Sequence, residues 1–314
     1  MKAVVFNKNG KPDKLVLQEV EIPIPLENEV LVKVYAVSVN AYDYRSMQLG
    51  IVPKKKIFGA DVSGVVETVG NNVKKLRIGD EVFGDLSASG SGGFAEYVTA
   101  PESAFGIKPA KVSFEDAAAT PMAALTALQA LRDLGQIQPG QHVLIYGSGG
   151  GVGTFAVQLA KYYGAEVTAV CSPKNVEQTR SLGADHVIDY SKSDGLNSST
   201  KFDLIVAVNG NRPLMDYKRV LKSNGNFVLV GGAFSQIIRM LLFGKILSIG
   251  GKKMRFLSAK PDVKDLEFVI QLMESGKIKA VIDRQYSLPE TSEAVKYLKQ
   301  GHAQGKVVIS VHQQ

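Results

Sequence analysis

The spacing of apolar residues divides the chain into two parts. In residues 1–118, short strand-like apolar runs are separated by Gly, Pro and Asn, which is the pattern of a β-rich module. These runs predict strands at residues 3–6, 29–36, 61–69, 81–83 and 95–99.

From about residue 119 the pattern changes to an alternation of strands and helices. A strand-like run at 142–146 precedes a segment in which Val152, Phe155 and Leu159 recur with helical spacing. This alternation favours a parallel sheet covered by helices on both faces. Further strands are predicted at 166–171, near 187, at 203–208 and at 226–230. The tail is mixed, with helices predicted at 263–273 and from 290, and strands near 281 and at 306–311.

A glycine-rich stretch, IYGSGGGVGT, joins the first strand of the alternating part to its helix. Ser148, Gly150 and Gly153 stand at the three glycine positions of the dinucleotide-binding fingerprint, with Gly151 and Val152 between them. Such a turn lets main-chain N–H groups and the helix N-terminus contact a pyrophosphate. The alternative is a tight strand–helix turn that binds no ligand.

The end of the second strand bears on the choice of dinucleotide. NAD enzymes usually carry Asp or Glu there, which bonds the ribose 2′-hydroxyl. This chain has Ser172 in that place, followed by Lys174. A hydroxyl and an ammonium favour a 2′-phosphate, so we expect NADP(H). The alternative for Lys174 is a solvated lysine at the start of a helix, and we expect Arg180 to lie on the surface.

The net charge and the cysteine content limit which ligands and which stabilising or metal sites the chain can have. The net charge of +7 suits anionic ligands, an anionic membrane face or nucleic acid. The basic runs at 53–56, 73–77 and 251–255 lack interleaved aromatic residues, so we expect no nucleic-acid binding and at most weak peripheral membrane contact. The one cysteine, Cys171, excludes a disulfide framework and a multi-cysteine zinc site within the chain.

Neither the N-terminal segment nor the longest apolar stretch suggests a secreted or membrane-spanning protein. The N-terminus opens as a strand without a basic, apolar leader, and the longest apolar stretch, 237–249, is interrupted by Arg239, Gly244 and Lys245. We therefore expect a cytoplasmic protein. The stretch 237–247 suggests either a contact for a bulky lipophilic substrate or a helix at a dimer interface.

Several motifs resemble, in order and spacing, the medium-chain dehydrogenase/reductase superfamily, in particular its zinc-free quinone oxidoreductase branch and the chloroplast-envelope homologues. The motifs are GADVSGVVETVGNNVKKLRIGDEVFG, GGFAEY, AATPMAALTALQAL, GSGGGVGTFAVQLAK and SLGADHVIDY. The resemblance implies an α/β fold in which residues 119–257 form a Rossmann NADP(H)-binding domain with a doubly wound parallel sheet. It also implies a GroES-like β-rich catalytic domain built from 1–118 and 258–314, and a homodimer.

The resemblance makes the absence of metal ligands informative. Zinc-dependent members carry a Cys at the place of Asn40 and a His-Glu pair at the places of Ala60 and Asp61. Zinc prefers thiolate or imidazole donors, which Asn and Ala do not offer. The four histidines are widely scattered. We therefore expect metal-free hydride transfer to quinones or α,β-unsaturated carbonyl compounds. Hydrogen bonds can stabilise the negative charge that develops on the oxygen of such a substrate.

The resemblance also implies site residues. Asn40 is expected near the nicotinamide, and Tyr42, Asp43 and Tyr44 in the substrate cleft, where either tyrosine could donate a proton. The alternative for these residues is packing beneath the cleft. A second set is expected to contact the cofactor: Tyr190 near the 2′-phosphate, Lys306 near the phosphates, and Thr126, Asn209, Gly210, Gly231, Gly232, Ala233, Phe256 and Leu257 near the ribose and nicotinamide. The alternative for Phe256 and Leu257 is packing in a core between the domains.

One departure from the family pattern leaves other functions open. Many relatives have a Tyr where this chain has Ile51, which argues against reduction of enoyl thioesters. One alternative is an NADPH-binding sensor or interaction protein with little catalysis. A zinc-free alcohol dehydrogenase is the other, although the sequence shows no base for the carbinol.

Overall fold

The computed structural model describes residues 1–7, 14–197, 199–210, 212–232, 234–248 and 250–312. The chain forms two compact units: Met1–Leu125 with Pro261–Gln314, and Thr126–Lys260. We call them the β-rich unit and the parallel-sheet unit. The boundary falls after Leu125 rather than at residue 118, because Leu125 packs in one cluster with Phe83, Val112 and Ile270 of the β-rich unit.

Elements are numbered along the whole chain. The β-rich unit contains strands β1 Lys2–Phe6, β2 Leu15–Glu19, β3 Glu29–Val39, β4 Asp61–Val69, β5 Glu81–Asp85, β6 Tyr97–Pro101, β7 Phe105–Ile107, β14 Ile282–Ser287 and β15 Lys306–Ser310. Its helices are α1 Ala41–Leu49, α2 Phe114–Ala118, α8 Val263–Glu274 and α9 Thr291–Lys299. Helix α3, Pro121–Gln129, crosses the boundary between the units.

The strands of the β-rich unit form a seven-stranded sheet and a separate hairpin. The order in the sheet is β14-β15-β3-β4-β5-β7, with β6 paired to β3, while β1 and β2 pair with each other. Strand β3 is central because its alternating Val residues, including Val30, Val32 and Val34, are fully buried in the main core. It pairs antiparallel with both β4 and β15, so residues from distant parts of the sequence meet across it.

The parallel-sheet unit contains β8 His142–Tyr146, β9 Glu166–Cys171, β10 His186–Asp189, β11 Phe202–Val208, β12 Leu221–Val230 and β13 Lys253–Phe256. Its helices are α4 Gly151–Tyr162, α5 Val176–Ser181, α6 Leu214–Val220 and α7 Phe234–Leu247. All strand pairs are parallel, in the order β10-β9-β8-β11-β12-β13. The order reverses between β8 and β11, where doubly wound sheets bind their ligands beyond the carboxyl ends of the strands.

The hydrophobic pattern located most elements. Strands β4, β8 and β9 have the predicted bounds, and the other predicted strands lie within a few residues of their places. The pattern did not predict strands β2, β7 and β13 or helices α1, α2, α3 and α6. Strand β13 reads KMRF, with two cations in four residues, and α1 mixes tyrosines with Asp43 and Arg45, so neither has a clear apolar period. Within the described residues, no helix combines the length and apolarity that crossing a membrane requires.

Candidate cofactor site and buried charge cluster

The glycine-rich turn between β8 and α4 is held close to its neighbours at two positions. Gly147 has a left-handed φ of 92°, and a Cβ there would collide with the carbonyl oxygen of Val208 on β11. A Cβ on Gly153 would collide with the Gly147 carbonyl and lie 2.6 Å from the Ser148 Cα. These glycines let the helix pack closely against the sheet.

The absence of a side chain at Gly150 has a different consequence, because it leaves open space beside the helix N-terminus. Gly150 is the N-cap of α4, and a Cβ built on it would meet no atom of the described residues within 4 Å. The main chain of Gly151 and Val152 forms the first turn of the helix, whose leading N–H groups have no partner inside the helix. Open space beside unsatisfied N–H groups at a positive helix end fits a pyrophosphate. The turn therefore fits the predicted dinucleotide.

Ser148 contributes through its main chain rather than its hydroxyl. The side chain is fully buried, and its Oγ donates to the Val170 carbonyl at 3.3 Å. Its main-chain N–H donates to the same carbonyl at 3.0 Å. Ser148 thus ties the turn to the end of β9, which keeps the hydroxyl away from the open side of the loop.

Polar groups gather where β9 and β10 end. Cys171 and Asp189 are register partners, so Ser172 follows directly beside Tyr190, whose N–H donates to the Cys171 carbonyl at 3.0 Å. The Ser172 Oγ is buried without a hydrogen-bond partner within the described residues. Lys174 is exposed, and Tyr190 is 54% exposed. A buried hydroxyl beside an exposed ammonium and phenol fits a ribose 2′-phosphate.

Asn175 belongs to this group, although the sequence analysis missed it. Its Oδ1 is buried and has no hydrogen-bond partner in the part of the chain described, and its Nδ2 closes on the place where a side chain on Gly149 would lie. An amide four residues past the end of a strand is a weak signal in sequence. Only the fold shows that it packs against the glycine-rich turn.

The remaining predicted contacts lie mostly at the same carboxyl edge of the sheet. Asn209 follows β11 with a left-handed φ of 54°, and its N–H donates to the Val230 carbonyl at 2.9 Å. Gly210 follows it. Gly231 and Gly232 follow β12, also with positive φ, and half-buried Leu257 follows Phe256 at the end of β13. Thr126 is half-buried in α3, and Ala233 lies outside the described residues.

A second polar group is buried in the β-rich unit, where sheet register assembles it. Val307 pairs with Val39, so Lys306 lies across from Asn40; Ser38 pairs with Asp61, and Asp61 pairs with Asp85. Four neighbouring strands thus present Lys306, Asn40, Asp61 and Asp85 in a row. We call these residues, together with Asp43 of α1, the buried charge cluster.

Lys306 and Asn40 connect the cluster. The Lys306 ammonium donates to the Asn40 Oδ1 at 2.6 Å and lies 3.5 Å from the Asp61 Oδ2. The Asn40 Nδ2 donates to the same Asp61 oxygen at 2.8 Å. The amide therefore bridges a cation and a carboxylate, which fixes its orientation.

Asp43 holds the start of α1. Its Oδ2 accepts a hydrogen bond from the Asn40 main-chain N–H at 2.7 Å, and its Oδ1 accepts one from the Gly59 N–H at 3.1 Å. Burial raises the pKa of Asp43 to about 6, although both hydrogen bonds and Lys306 oppose the shift. A buried carboxylate thus anchors the helix that carries both candidate tyrosines.

Three buried carboxyl groups share one ammonium in this cluster. Burial raises the pKa of Asp61 to about 7 and raises that of Asp85 as well, with Lys306 opposing both shifts. Burial lowers the pKa of Lys306, against the pull of Asp61 and Asp43. The cluster therefore has the acidity to hold a proton near neutral pH.

The two tyrosines differ in their surroundings. Tyr42 is half-buried, and its hydroxyl donates to the Ser87 carbonyl at 3.4 Å. Tyr44 packs against the main core of the unit, with the Arg45 guanidinium 5.9 Å from its ring centre. Tyr44 thus makes the packing contacts that the sequence analysis gave as the alternative, while the Tyr42 hydroxyl makes one long hydrogen bond; proton donation by either tyrosine stays a prediction. Ile51 is 61% exposed.

The comparisons with known proteins agree with this arrangement. The model of the alcohol dehydrogenase GroES-like domain matches residues 26–110, and the model described as zinc-binding dehydrogenase matches residues 182–309. A chloroplast envelope quinone oxidoreductase homolog from Arabidopsis thaliana is 35% identical over 306 residues, which cover 93% of this chain and 92% of that protein. The chain belongs to the medium-chain dehydrogenase/reductase family.

Two further family members extend the similarity. An NADPH-dependent alkenal/one oxidoreductase from Arabidopsis thaliana chloroplasts is 33% identical, covering 98% of this chain and 79% of its own. The solved structure of a quinone oxidoreductase from Coxiella burnetii matches with a TM-score of 0.90 and 31% identity over 99% of both chains. The fold class predicted from the sequence, a Rossmann sheet with a GroES-like domain, is confirmed. The chain is an oxidoreductase of this family with a nicotinamide cofactor.

In this medium-chain dehydrogenase/reductase, Lys306 lies in different surroundings from those expected. The sequence analysis placed it near the cofactor phosphates, yet its side chain is 4% exposed and its ammonium bonds to Asn40 within the β-rich unit. Its contact with phosphates stays a prediction. The cause is the register of β15 with β3, because antiparallel pairing between residues more than 260 positions apart leaves no local signal in the sequence.

The histidines are less scattered than the sequence suggests. His142 and His186 lie on β8 and β10, and both contact the Glu166 carboxylate on β9 between them, with Nε2–oxygen distances of 3.0 and 3.1 Å. Even so, in the part of the chain that the structure describes, no group of three or more His, Cys, Asp or Glu side chains is placed to hold a metal ion.

The one cysteine of the chain lies at the end of β9. Cys171 is 3% exposed, and burial raises the pKa of its thiol, although the hydroxyls of Thr179 and Ser148 oppose the shift. A buried thiol with a raised pKa is a weak nucleophile.

Proposed function

We propose that this protein is an NADPH-dependent reductase of quinones or α,β-unsaturated carbonyl compounds that acts without a metal ion. The observation that carries the proposal is the group of polar side chains at the ends of β9 and β10. Ser172 has a buried hydroxyl with no partner in the described residues, and Lys174 and Tyr190, which follow the same strand ends, are exposed.

The choice of NADPH follows from charge at this position. A carboxylate at the end of β9 would repel a 2′-phosphate, and the chain has Ser172 there instead. Lys174 would provide a charge-assisted hydrogen bond, which is stronger than one between neutral groups. The NADPH-dependent name of one Arabidopsis relative supports the same choice. The turn at Gly150 and the first turn of α4 would hold the pyrophosphate.

Metal independence is supported by the donors present. In zinc-dependent relatives the places of Asn40, Ala60 and Asp61 provide ligands, according to the sequence resemblance. Here an ammonium, that of Lys306, lies against Asn40 and Asp61. A fixed cation repels a metal ion, and an amide and a methyl group replace the thiolate and imidazole that zinc prefers.

The chemistry divides between the cofactor and the chain. When bound, the nicotinamide supplies hydride. Tyr42 holds a proton at its Oη, which would hydrogen-bond the substrate oxygen and then protonate it; Tyr44 is the second candidate for this step. Asp43 and Asn40 fix the N-terminus of α1 and therefore the position of both tyrosines.

A panel of acceptors tests the proposed reaction. Purified protein with NADPH is supplied with a benzoquinone, a short enal or a long-chain enone, and the loss of NADPH absorbance is followed. We expect oxidation of NADPH only when an acceptor is present, and equal rates before and after treatment with a chelator. Tight NADPH binding without turnover across the panel would instead favour the NADPH-binding sensor.

The assembly and location of the protein complete the proposal. We also propose a homodimer located in the cytoplasm, as the sequence analysis led us to expect. Sedimentation velocity at micromolar concentration measures the oligomeric state directly, and a single monomeric species would contradict the dimer.

A further inference from the structure

The positive charge of the chain is concentrated in one segment. Residues 217–261 contain nine Lys and Arg residues and no Asp or Glu. The rest of the chain has 28 Lys and Arg residues against 30 Asp and Glu, so it is close to neutral. The acid-free segment runs from α6 through β12 and α7 to β13. Its charge therefore calls for an explanation of its own.

Helix α7 in this segment exposes a broad apolar face. Between residues 238 and 246, only Met240 and Gly244 are buried, and they face β13. The other seven residues are exposed, and the two charged ones among them, Arg239 and Lys245, are cations. The exposed apolar side chains, with 39–66% of their surface accessible, are Ile238, Leu241, Leu242, Phe243 and Ile246. Contiguous apolar surface of this kind marks an interaction site.

A cluster of lysines adjoins the C-terminal end of α7. Lys252 follows that helix, and its ammonium donates to the Lys218 carbonyl on α6 at 2.8 Å. Burial and the nearby charges of Lys218 and Lys201 lower the pKa of Lys252. Like charges held together in this way favour binding of an anion. We use the name α7 surface for the lysines Lys201, Lys218 and Lys252 together with the exposed side chains of α7.

The lysines lie on the edge of the sheet opposite the candidate cofactor site. Lys201 immediately precedes β11, Lys222 is the second residue of β12, and Lys252 immediately precedes β13. Since these strands are parallel, their amino ends share one edge. The glycine-rich turn follows the carboxyl end of β8, on the other edge. Phosphates of the dinucleotide therefore do not account for the charge.

We propose that the α7 surface docks the protein on a bilayer of anionic lipid. An interfacial helix combines a wide apolar face, which enters the headgroup region, with Lys and Arg that contact lipid phosphates. The α7 surface offers both features. Residues 217–261 contain no Asp or Glu, although Lys222 and Arg219 pair with Asp203 and Asp216 outside the segment. The proposal does not depend on the proposed reaction, because binding to lipid is measured without turnover.

Other occupants fit the observations less well. A second copy of the chain in a two-fold contact would bring the same cations of both copies together. Nucleic acid would satisfy the lysines but leave Leu241, Leu242 and Ile246 exposed, and no aromatic residues are interleaved with the cations to stack bases. Anionic lipid satisfies the charge and covers the apolar side chains at once.

Vesicle sedimentation tests the proposal on the full chain. We expect binding to phosphatidylcholine vesicles that contain phosphatidylglycerol, and little binding to pure phosphatidylcholine or at high salt. The double variant Leu241→Ser with Leu242→Ser should bind about tenfold more weakly or worse, since two large apolar side chains no longer enter the lipid. The matched control, Ile78→Ser with Ile107→Ser, changes two exposed side chains of the β-rich unit and should bind as the wild type does.

The lysines are tested separately. Lys218→Gln with Lys252→Gln should weaken binding to anionic vesicles by about fivefold for each charge removed. Lys74→Gln with Lys111→Gln makes the same change in net charge at exposed positions of the β-rich unit and should have little effect. Equal losses in both pairs would show that net charge alone drives binding, which would overturn the proposal.

A fluorescence probe reports insertion directly, because the chain contains no Trp. Phe243→Trp should shift its emission to shorter wavelength with anionic vesicles, whereas Tyr162→Trp on α4 should not. Three results would overturn the proposal. They are an unchanged Phe243→Trp spectrum, conversion of a dimer to a monomer by the Leu241 and Leu242 changes, and binding of a labelled oligonucleotide that those changes leave intact.

Discussion

In the β-rich unit, the Lys306 ammonium and the Asn40 amide bond to each other and to Asp61, so the polar atoms of the buried charge cluster find partners inside the protein. In the parallel-sheet unit, the Ser172 Oγ and the Asn175 Oδ1 are just as inaccessible, yet they have no partner in the described residues. Both places bury polar groups, but of the two only the buried charge cluster has no atom among the buried polar atoms that lack a partner in the described residues.

This difference in hydrogen bonding distinguishes a group of polar residues that stabilises the fold from one that is suited to bind a ligand. A buried polar atom without a partner costs free energy, so a fold that retains two of them three residues apart in sequence benefits when a ligand supplies the missing bonds. A satisfied cluster already has its partners and stabilises or positions the chain. The two regions should therefore respond to substitution in different assays.

The largest effect should come from removing the cation of the buried charge cluster. Lys306→Met leaves buried carboxylates without their counter-charge, which typically costs about 3–5 kcal/mol. Urea unfolding measures the loss. Adding Asp61→Asn to the same chain removes one of the carboxylates and should recover much of the stability. A single variant as stable as the wild type would show that Lys306 does not balance these charges.

The pH dependence of stability sharpens the same point. The pKa of Asp61 is about 7 in the folded chain and near 3.8 when unfolded, so the folded state binds more protons between these values. The contribution of Asp61 is therefore present below about pH 4 and is lost as the pH rises towards 7, at about 1.4 kcal/mol per unit of pKa shift.

Urea titrations of the wild type and Asp61→Asn at several pH values isolate this effect from other groups. The stability of Asp61→Asn relative to the wild type should rise by about 2–4 kcal/mol between pH 4 and pH 7. A difference that stays constant across this range would mean that burial does not raise the pKa of Asp61.

At the candidate cofactor site, substitution should change affinity rather than stability. Lys174→Glu removes a charge-assisted contact and adds repulsion, so the affinity for NADPH should fall by about 1.5–3 kcal/mol, and that for NADH far less. Calorimetric titration with both dinucleotides measures the difference. Lys111→Glu, an exposed change in the β-rich unit, is the control; equal losses for NADPH and NADH in Lys174→Glu would contradict the 2′-phosphate assignment.

The smallest effects are expected from alanine substitutions at two glycines of the glycine-rich turn, which should change different quantities. A methyl group on Gly150 meets no atom of the described residues, so Gly150→Ala should keep the melting temperature but weaken NADPH binding about tenfold, or 1.4 kcal/mol. Gly153→Ala collides with the Gly147 carbonyl and should lower the melting temperature instead. Calorimetric titration and thermal melts measure the two outcomes. If Gly150→Ala binds NADPH normally, the open side of the turn does not hold the pyrophosphate.

The sequence placed the glycine-rich turn correctly between β8 and α4, while the cofactor contacts of its residues stay predictions. Ser148, Gly150 and Gly153 follow one another in a single turn, and Ser172 lies at the end of the next strand, so spacing along the chain was enough to place them. The contribution of Asn175 was not visible, because it depends on how the segment after β9 folds back on Gly149.

The buried charge cluster shows where sequence reasoning stops. Its members come from β15, β3, β4, β5 and α1, and they meet only through the register of four neighbouring strands. Asn40 and Lys306 were singled out by resemblance, but their direct bond was not expected. The exposure of α7 was equally hidden, since an apolar run reads the same whether it is covered or bare.

The position of Cys171 has a chemical consequence for the proposed reaction. Quinones and enones alkylate accessible thiolates, so an enzyme that handles them risks inactivation by its own substrate. This chain contains a single sulfhydryl, and it is enclosed at the end of β9 where ionisation is suppressed. Such a catalyst would tolerate electrophiles that poison proteins with exposed cysteines.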